Sequence, residues 1–210
     1  MIELPAASPL LRELASRGVR YTYRKGRLLI AEGEPGDALY VILSGRLRVF
    51  SADAGKDREI TFGSYGAGEY VGEMSLDGGP RSASVEAEQR CECALVSRAT
   101  LTAFIAEQPD FAFELLAKVI GRARVATLTA RQLALNDCYG RLRAVLEALA
   151  EPAAGGGRSI RAMPTHLALS QQIGCTRPMV TRLISALEKG GQLARDGRTW
   201  RLAGALPARW

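Results

Sequence analysis

The segment from Gly72 to Ala83 carries residue types that suit an anionic ligand. Glycine at position 72 allows a backbone N–H group to approach a ligand closely. Arg81 follows a tight turn into a strand, where burial of a guanidinium is costly without an anion and a phosphate satisfies it with paired hydrogen bonds. Ser82 and the N–H groups around Ala83 can line the same anion, and Glu73 can accept from a sugar hydroxyl. The alternative is an ordinary surface ion pair between Glu73 and Arg81.

A second group of residues, from Thr165 to Glu188, has the pattern of two helices joined by a tight turn that contains a glycine. Thr176 and Pro178 suit the N-cap and the first turn of the second helix. Arg177 and Arg182 project from the N-terminal half of that helix, which is the part that enters the major groove in helix-turn-helix proteins. An arginine there can bridge O6 and N7 of guanine, so the pattern predicts a DNA reader.

A hairpin is predicted directly after these helices, because Asp-Gly at positions 196 and 197 is a typical two-residue turn. Trp200 and Leu202 then alternate as the apolar face of the returning strand. This hairpin is interpreted as a wing, whose arginines contact DNA phosphates. The predicted DNA-binding residues are Thr176, Arg177, Pro178, Thr181, Arg182, Arg195 and Arg198.

Basic residues are concentrated in the C-terminal half of the chain. The formal net charge is +6 over 210 residues, and from residue 118 to 210 there are fifteen Lys or Arg but only five Asp or Glu. This excess suits a polyanionic partner such as nucleic acid, although a solvated basic surface has the same composition.

The histidine and cysteine content argues against metal, haem and catalysis. His166, the only histidine, lies in the predicted DNA reader, and the four cysteines contain no C-x-x-C pair. Cys91 and Cys93 share one face of a predicted strand, whereas Cys138 and Cys175 stand alone. All four are therefore predicted to be small core residues rather than a disulfide framework or a metal site. Without a nucleophile–base pair, neither an enzyme nor a resident cofactor is expected.

A cytoplasmic location without membrane attachment is expected from two features. No apolar run approaches the ~20 residues that a transmembrane helix needs. The segment from Met1 to Leu11 also lacks the basic and apolar regions of a secretory signal.

Between residues 19 and 96 the chain alternates apolar and polar residues in short segments separated by glycine-rich turns. This texture predicts a sandwich or barrel, a class that includes the jelly roll. The predicted strands are Tyr21–Tyr23, Leu28–Ala31, Ala38–Leu43, Arg46–Ser51, Glu59–Phe62, Ser82–Ala87 and Cys91–Val96.

Helices follow the strands. A short helix is predicted from Thr100, as its N-cap, to Glu107, and a long one from Asp110 to about Leu135. The long helix carries a heptad seam of apolar and small residues, which favours a parallel homodimer over packing on its own domain. The seam consists of Ala112, Leu116, Val119, Ala123, Ala126, Ala130 and Leu133. A further helix, Cys138 to Ala150 with Asp137 as its cap, precedes a flexible connection from Glu151 to Arg158.

Gly72-Glu73 followed by Arg81-Ser82-Ala83 resembles the phosphate-binding cassette of cyclic-nucleotide-binding domains. The residues from Gly33 to Tyr40, together with Gly45, match the early strands of that domain. With the long helix and the winged reader, the chain resembles the CRP/FNR family of transcription regulators from end to end.

The resemblance implies an α+β fold with three parts: a sensor domain at residues 1–109, a dimerisation helix and hinge at 110–136, and a winged helix-turn-helix at 137–210. It further implies a homodimer through residues 112–133 that binds an inverted-repeat site in double-stranded DNA, with RNA polymerase as a further partner. Cyclic AMP is the implied allosteric ligand. Its phosphate would contact Gly72, Ser82 and Arg81, with Ala83 beside them, and its ribose 2′-hydroxyl would contact Glu73.

Two positions depart from the family pattern. Of the two adjacent polar residues that contact adenine, Thr127 keeps the hydroxyl that reaches the partner subunit's pocket, but the other position is Ala126. Another cyclic nucleotide or a ligand-independent regulator therefore stays open. In the reader, Pro178 replaces the glutamate that accepts from a cytosine amino group. A docking module that controls a partner protein is the alternative from another class, which the basic reader disfavours.

Overall fold

A computed structural model describes residues 7–53, 55, 58–153, 157–197 and 199–209, without the side chain of Gln132. The chain divides into two compact units. The first comprises the residues up to Ser51 together with Thr61–Ala126, and the second comprises Ala52–Ile60 together with the residues from Thr127 onward.

The first unit is built around two four-stranded sheets. Its elements begin with helix α1 (Pro9–Ser16), followed by β1 (Val19–Tyr23), β2 (Leu28–Ile30), β3 (Ala38–Ser44), β4 (Arg46–Asp53), β5 (Arg58–Gly66), β6 (Tyr70–Val71), β7 (Ser84–Ala87) and β8 (Cys91–Ser97). The end of β4 and the start of β5, within Ala52–Ile60, belong to the second unit. One sheet has the order β1-β8-β3-β6 and the other β2-β7-β4-β5. Apolar residues from both sheets, among them Ile42, Leu47 and Val85, share one core. This arrangement confirms the β fold predicted for the N-terminal part.

Helices cover the outer face of the first sheet. They are α1, α2 (Arg98–Glu107) and the start of α3 (Asp110–Leu135). Leu14, Phe104 and Phe111 are buried there against alternating residues of β3 and β8. Beyond Phe111, most α3 side chains whose exposure the structure describes are exposed or only partly buried.

The second unit contains a helical core and a small sheet. Its elements are α4 (Cys138–Leu149), β9 (Glu151–Pro152), β10 (Arg158–Ile160), α5 (His166–Ile173), α6 (Arg177–Lys189), β11 (Leu193–Asp196) and β12 (Thr199–Leu202). The strands form an antiparallel sheet in the order β11-β12-β10-β9. Leu142, Leu169 and Ile184, from three different helices, have no exposed surface or nearly none and form the centre of the core.

Several local predictions need correction. Ser97, not Thr100, is the N-cap of α2, since its side chain accepts from the N–H of Thr100 at 3.1 Å. The predicted connection at 151–158 has strand at both ends, because β10 pairs with β12 and β9 adds at its other edge. Residues 154–156 of that connection lie outside the described ranges. Helix α1 and the two-residue strand β6 had not been predicted.

The cysteine prediction was right for one pair and wrong for the other. Cys91 and Cys93 are buried free thiols in the core between the sheets. Cys138 and Cys175 do not stand alone but form a disulfide across 37 residues. Packing of α4 and α5 against each other brings the two positions together, which spacing along the chain cannot show.

Within the described residues, no helix combines the length and the apolar character needed to cross a membrane.

Candidate functional site

The loop at residues 33–36 encloses Arg81. The N–H of Gly33 donates to the carbonyl of Arg81 at 2.9 Å, and the N–H of Arg81 donates to the carbonyl of Glu34 at the same distance. A Cβ atom at Gly36 would lie 2.1 Å from Nε of Arg81, so only glycine fits there. The turn at residues 33–36 and the segment from Gly72 to Ala83 therefore lie together in one site.

The Arg81 guanidinium is buried on neutral oxygen acceptors. Its Nη1 donates to the carbonyl of Gly72 and to Oγ of Ser75, both at 2.8 Å, and its Nη2 donates to the carbonyl of Ala38 at 3.0 Å. Three protein acceptors thus supply hydrogen bonds to the buried guanidinium, although none of them supplies a negative charge. Contact of Arg81 with an anionic ligand stays a prediction.

The backbone of Gly72 makes this arrangement possible. Its φ of 94° lies in the left-handed region that side chains disfavour, and it caps a short 3-10 helix at Glu73–Ser75. A Cβ atom here would lie 2.8 Å from both Nη1 of Arg81 and the carbonyl oxygen of Ala38. Because Gly72 has no side chain, the Arg81 guanidinium can reach the backbone carbonyls of Gly72 and Ala38.

Glu73 forms an ion pair with Arg122 of α3, not with Arg81. The two side chains are 3% and 19% exposed, respectively. Burial by itself would lower the pKa of Arg122, but the hydrogen bond and charge of Glu73 outweigh it and the pKa is raised. Arg122 also lies over the rings of Tyr65 and Tyr70, at 4.4 and 5.4 Å from their centroids. Glu73 is thus a buried carboxylate paired with Arg122, whose guanidinium lies over two aromatic rings.

The remaining predicted ligand residues have different environments. Ser82 is exposed and Ala83 is half-buried, and both adjoin Arg81 in the chain. Thr127 is an exposed residue of α3 in the second unit. Contacts of these three residues with a ligand stay a prediction.

Helices α5 and α6 form the predicted pair around a tight turn. Gly174 ends α5 in the left-handed conformation, with φ 63°. Thr176 has the extended backbone of an N-cap, but its side chain makes no capping hydrogen bond. Val180, Ile184 and Leu187 bury one face of α6. The opposite, exposed face carries Arg177, Pro178, Thr181 and Arg182.

Two arginines hold the turn between these helices. Nε of Arg141 donates to the carbonyl of Ile173 at 2.8 Å, and Nη2 of Arg58 donates to the carbonyl of Gly174 at 2.9 Å. Both acceptors lie at the C-terminal end of α5, where cations also interact favourably with the helix dipole. Burial and repulsion from Arg58 lower the pKa of Arg141.

Thr181 is anchored by a residue that the sequence had not linked to it. Its hydroxyl donates to the carbonyl of Arg177 at 3.1 Å, and Nδ1 of His166 lies 2.9 Å from the same hydroxyl oxygen. The donor in this second contact depends on the tautomer of the imidazole ring. Thr181 is thus linked both to its own helix and to the first residue of α5.

The predicted wing is present as β11 and β12, with Gly197 at the turn. Nε of Arg195 donates to the carbonyl of Gly197 at 3.2 Å, and its guanidinium lies 6.0 Å from the Trp200 ring. Arg201 pairs with Asp196 at 2.7 Å. The predicted contact residue Arg198 lies outside the described residues.

Within the described part of the chain, no three His, Cys, Asp or Glu side chains are grouped so that they could hold a metal ion.

Comparison with known proteins gives matches to the β unit alone and to most of the chain. The cyclic nucleotide-binding domain family matches residues 20–108. The cAMP-activated global transcriptional regulator CRP of Escherichia coli is 30% identical over 201 residues, which are 93% of this chain and 94% of that protein. The cyclic AMP receptor protein of Thermus thermophilus is 33% identical over 193 residues, 88% of this chain and 87% of its own.

The chain belongs to the CRP/FNR family of transcription regulators. A solved relative supports the same architecture: the c-di-GMP responsive global regulator CLP of Xanthomonas campestris has a TM-score of 0.77 and 25% identity, and the match covers 93% of this chain and 98% of that one. Within a CRP/FNR regulator, the β unit is the cyclic nucleotide-binding domain and α5–α6 is the helix-turn-helix.

Sequence reasoning did not count Arg122 or His166 among the candidate site residues, although it placed His166 in the predicted DNA reader. Arg122 had no local signal, because it lies beside apolar seam positions and its partner Glu73 is 49 residues earlier. A local signal existed for His166, since it directly follows Thr165, a residue type that often caps a helix, and therefore lies at the start of α5.

Proposed function

We propose that this CRP/FNR protein is a homodimeric, sequence-specific DNA-binding regulator controlled by a cyclic nucleotide in its N-terminal β domain, with cyclic AMP as the expected ligand. The proposed parts are a sensor at residues 1–109, a dimerisation helix and hinge at 110–136 and a winged reader at 137–210. The observation that carries the proposal is the exposed face of α6, where two arginines lie opposite a fully apolar buried face. RNA polymerase is the further partner expected of a regulator at a promoter.

The DNA-binding part follows from the chemistry of that face. Arg177 and Arg182 lie five positions apart on α6 and are both exposed, so they can reach neighbouring base pairs in one major groove. Arg195 on the wing is exposed as well and suits a phosphate contact. Mobility shift with a duplex selected from a randomised pool tests this part. Failure to enrich any duplex would refute it.

The homodimer is supported by large apolar side chains that α3 exposes after it leaves the β domain core. Phe113, Leu116, Ile120 and Leu128 are 73%, 54%, 49% and 58% exposed. An isolated helix with this much exposed apolar surface favours association, and a second copy of α3 supplies a matching surface. Such a dimer would place Thr127 of one subunit at the pocket of the other.

The ligand part rests on the charge of Arg81. All three hydrogen bonds that the structure gives its guanidinium end on uncharged oxygens, and the neighbouring carboxylate of Glu73 is already paired with Arg122. A phosphate would replace these neutral contacts with charge-assisted ones, which are about twice as strong. The named relatives include proteins activated by cAMP and one responsive to c-di-GMP, so both ligands belong in the test.

A ligand-independent regulator is the second candidate, and the same contacts favour it. Protein oxygens accept three hydrogen bonds from the Arg81 guanidinium, so its position does not depend on ligand contacts alone. Ala126 also removes one of the two side chains expected at adenine.

Calorimetry on refolded, ligand-stripped protein distinguishes the two candidates. We expect cyclic AMP to bind at about one site per subunit and to raise affinity for the selected duplex; cyclic GMP and c-di-GMP serve as the comparison ligands. DNA binding of equal strength with and without each nucleotide, together with no heat of binding, would support the ligand-independent regulator.

A further inference from the structure

Cys138 and Cys175 join two functional elements of the DNA-binding unit. Cys138 is the first residue of α4, and Cys175 lies between the end of α5 and Thr176, the N-cap of α6. Their Cα atoms are 6.4 Å apart, inside the range of about 4.4–6.8 Å that disulfides adopt. The fold therefore holds the two sulfur atoms within bonding reach at the entry to the helix that reads DNA.

A cation lies beside both sulfur atoms. Nη2 of Arg141 is 3.6 Å from Sγ of Cys138 and 3.5 Å from Sγ of Cys175. The arginine is itself held by the carbonyls of Asn136 and Ile173, at 2.6 and 2.8 Å. A fixed guanidinium and the N-terminus of α4 both stabilise a thiolate, which is the reactive form of cysteine. Cys138 is partly exposed and Cys175 is buried, so a reagent from solution meets Cys138 first.

The other two cysteines have the opposite environment. Cys91 and Cys93 are buried between the two sheets of the β domain. Burial, followed by the charges of Cys91 and Glu92, raises the pKa of Cys93 to about 12, which keeps it a neutral thiol. The chain thus contains one reactive pair and one inert pair, and the inert pair serves as an internal control.

We propose that Cys138 and Cys175 are a reversible oxidation site that regulates the DNA reader, with low-molecular-weight disulfides such as glutathione disulfide as the oxidant. The Cys138 thiolate attacks one sulfur of glutathione disulfide, which forms a mixed disulfide and releases one glutathione thiolate. The Cys175 thiolate then attacks Sγ of Cys138 and releases the second glutathione. Two protein thiols lose two electrons and two protons, and one glutathione disulfide becomes two glutathione molecules.

Oxidation restrains the first turn of α6. In the oxidised protein a covalent bond fixes Cys175, next to Thr176, against the start of α4. In the reduced protein the turn is held by weaker contacts such as those of Arg141. A restrained reader loses less conformational freedom when it binds, so the oxidised form binds DNA more tightly. This consequence rests on the proposed function, in which α6 reads DNA.

The chemistry is tested on the full chain treated with glutathione disulfide or with dithiothreitol, followed by alkylation and peptide mass analysis. We expect alkylation at Cys138 in the reduced protein, a peptide that links Cys138 to Cys175 in the oxidised one, and no labelling of Cys91 or Cys93 in either. Cys175→Ser should stop at the glutathione adduct on Cys138. Persistent alkylation of Cys138 after oxidation would overturn the proposal.

The regulatory effect is tested with a duplex selected from a randomised pool. The oxidised protein should bind it about fivefold or more tightly than the reduced protein, and dithiothreitol should reverse the gain. Cys138→Ser should bind like the reduced protein under both conditions. Equal affinity of the two wild-type states would overturn the regulatory role. If neither state binds any duplex, the proposed function and the regulatory role both fail, while the mass analysis still decides the chemistry.

Discussion

Arg81 and Glu73, in the candidate ligand site, show how the protein separates two buried charges. Arg81 is satisfied by uncharged oxygens, whereas Glu73 is satisfied by Arg122. The two groups therefore do not neutralise each other, although they are neighbours in the cassette. Arg81 keeps a positive charge that a phosphate can match, and Glu73 keeps a carboxylate that can accept from a hydroxyl while it remains paired.

Arg81→Ala should weaken binding of cyclic AMP by at least about 2 kcal/mol, because a charge-assisted contact is lost. Calorimetry measures this loss, and Arg90→Ala, which removes an exposed arginine of the same unit, is the matched control. Since Arg81 also holds three backbone and side-chain oxygens, thermal unfolding of the variant is measured in parallel. Unchanged affinity in folded Arg81→Ala would show that the ligand does not contact this residue.

Glu73→Gln should lower the free energy of unfolding by about 2–3 kcal/mol, because it leaves Arg122 largely buried without its counter-charge. The matched control is Glu69→Gln, since the Glu69 side chain is 38% exposed and its ion pair with Lys118 is long, at 4.0 Å. That change should cost less than about 1 kcal/mol. Urea unfolding of the two variants gives the comparison, and equal losses would contradict a special role for the buried pair.

At the scale of elements, local signals were sufficient where they were strong. Helices α3 and α4 follow the predicted bounds closely. Asp137 caps α4 as expected, since its side chain accepts from the N–H of Gly140 at 2.7 Å. The same is true of the Gly174 turn. Strand β6 was missed because two residues carry no periodicity. Helix α1 was missed although Ser8 and a proline at its first turn are N-terminal signals.

Contacts between distant parts of the chain account for the other differences. The pairs Glu73–Arg122 and Cys138–Cys175 join positions 49 and 37 residues apart, so they depend on packing that no local pattern encodes. Arg81 illustrates a related limit. Residue types predicted an anion site around Arg81, but they could not show that the carbonyls of Gly72 and Ala38 accept hydrogen bonds from its guanidinium.

The seam of α3 gives a prediction about assembly. Ala126→Glu should place like charges across the helix contact of the proposed dimer and yield monomers. Lys118→Glu is the matched control, because the Lys118 side chain is 54% exposed and lies on a different face of the helix from Ala126, Phe113 and Ile120. Sedimentation should report a monomer for the first variant and a dimer for the second. A dimer in both would show that the seam is not the interface.

The exposed face of α6 gives a prediction about base preference. Arg177→Ala and Arg182→Ala should each cost about 1–3 kcal/mol and relax specificity at one base pair. Arg195→Ala should instead weaken all duplexes alike and reduce the salt dependence, as loss of a phosphate contact does. Pro178→Glu should sharpen preference towards cytosine at the pair it faces, because carboxylates accept from the cytosine amino group. Site selection with each variant measures these effects, and a general loss from Arg177→Ala would contradict direct readout.

At the scale of the whole molecule, the proposed function implies linkage between ligand binding and DNA binding. If cyclic AMP raises affinity for DNA by some factor, DNA must raise affinity for cyclic AMP by the same factor. The two candidate functions predict different factors, since cyclic AMP leaves the DNA affinity of a ligand-independent regulator unchanged and the factor is then one. Oxidation at Cys138 and Cys175 would act on the same DNA affinity from within the reader, so ligand and oxidant should combine rather than substitute for each other.

The proposed dimer makes a geometric prediction about the DNA site. Two readers related by a twofold axis should bind an inverted repeat with half-site centres about one helical turn, ~34–36 Å, apart. An insertion of about five base pairs rotates one half-site to the far side of the duplex, so affinity should fall at least about tenfold, towards that of a single half-site. Mobility shift on the two duplexes measures the loss. Ala126→Glu, if monomeric, should bind both duplexes equally, since one reader does not detect the spacing. Equal binding of both duplexes by the wild-type dimer would mean that its readers do not bind as a symmetric pair.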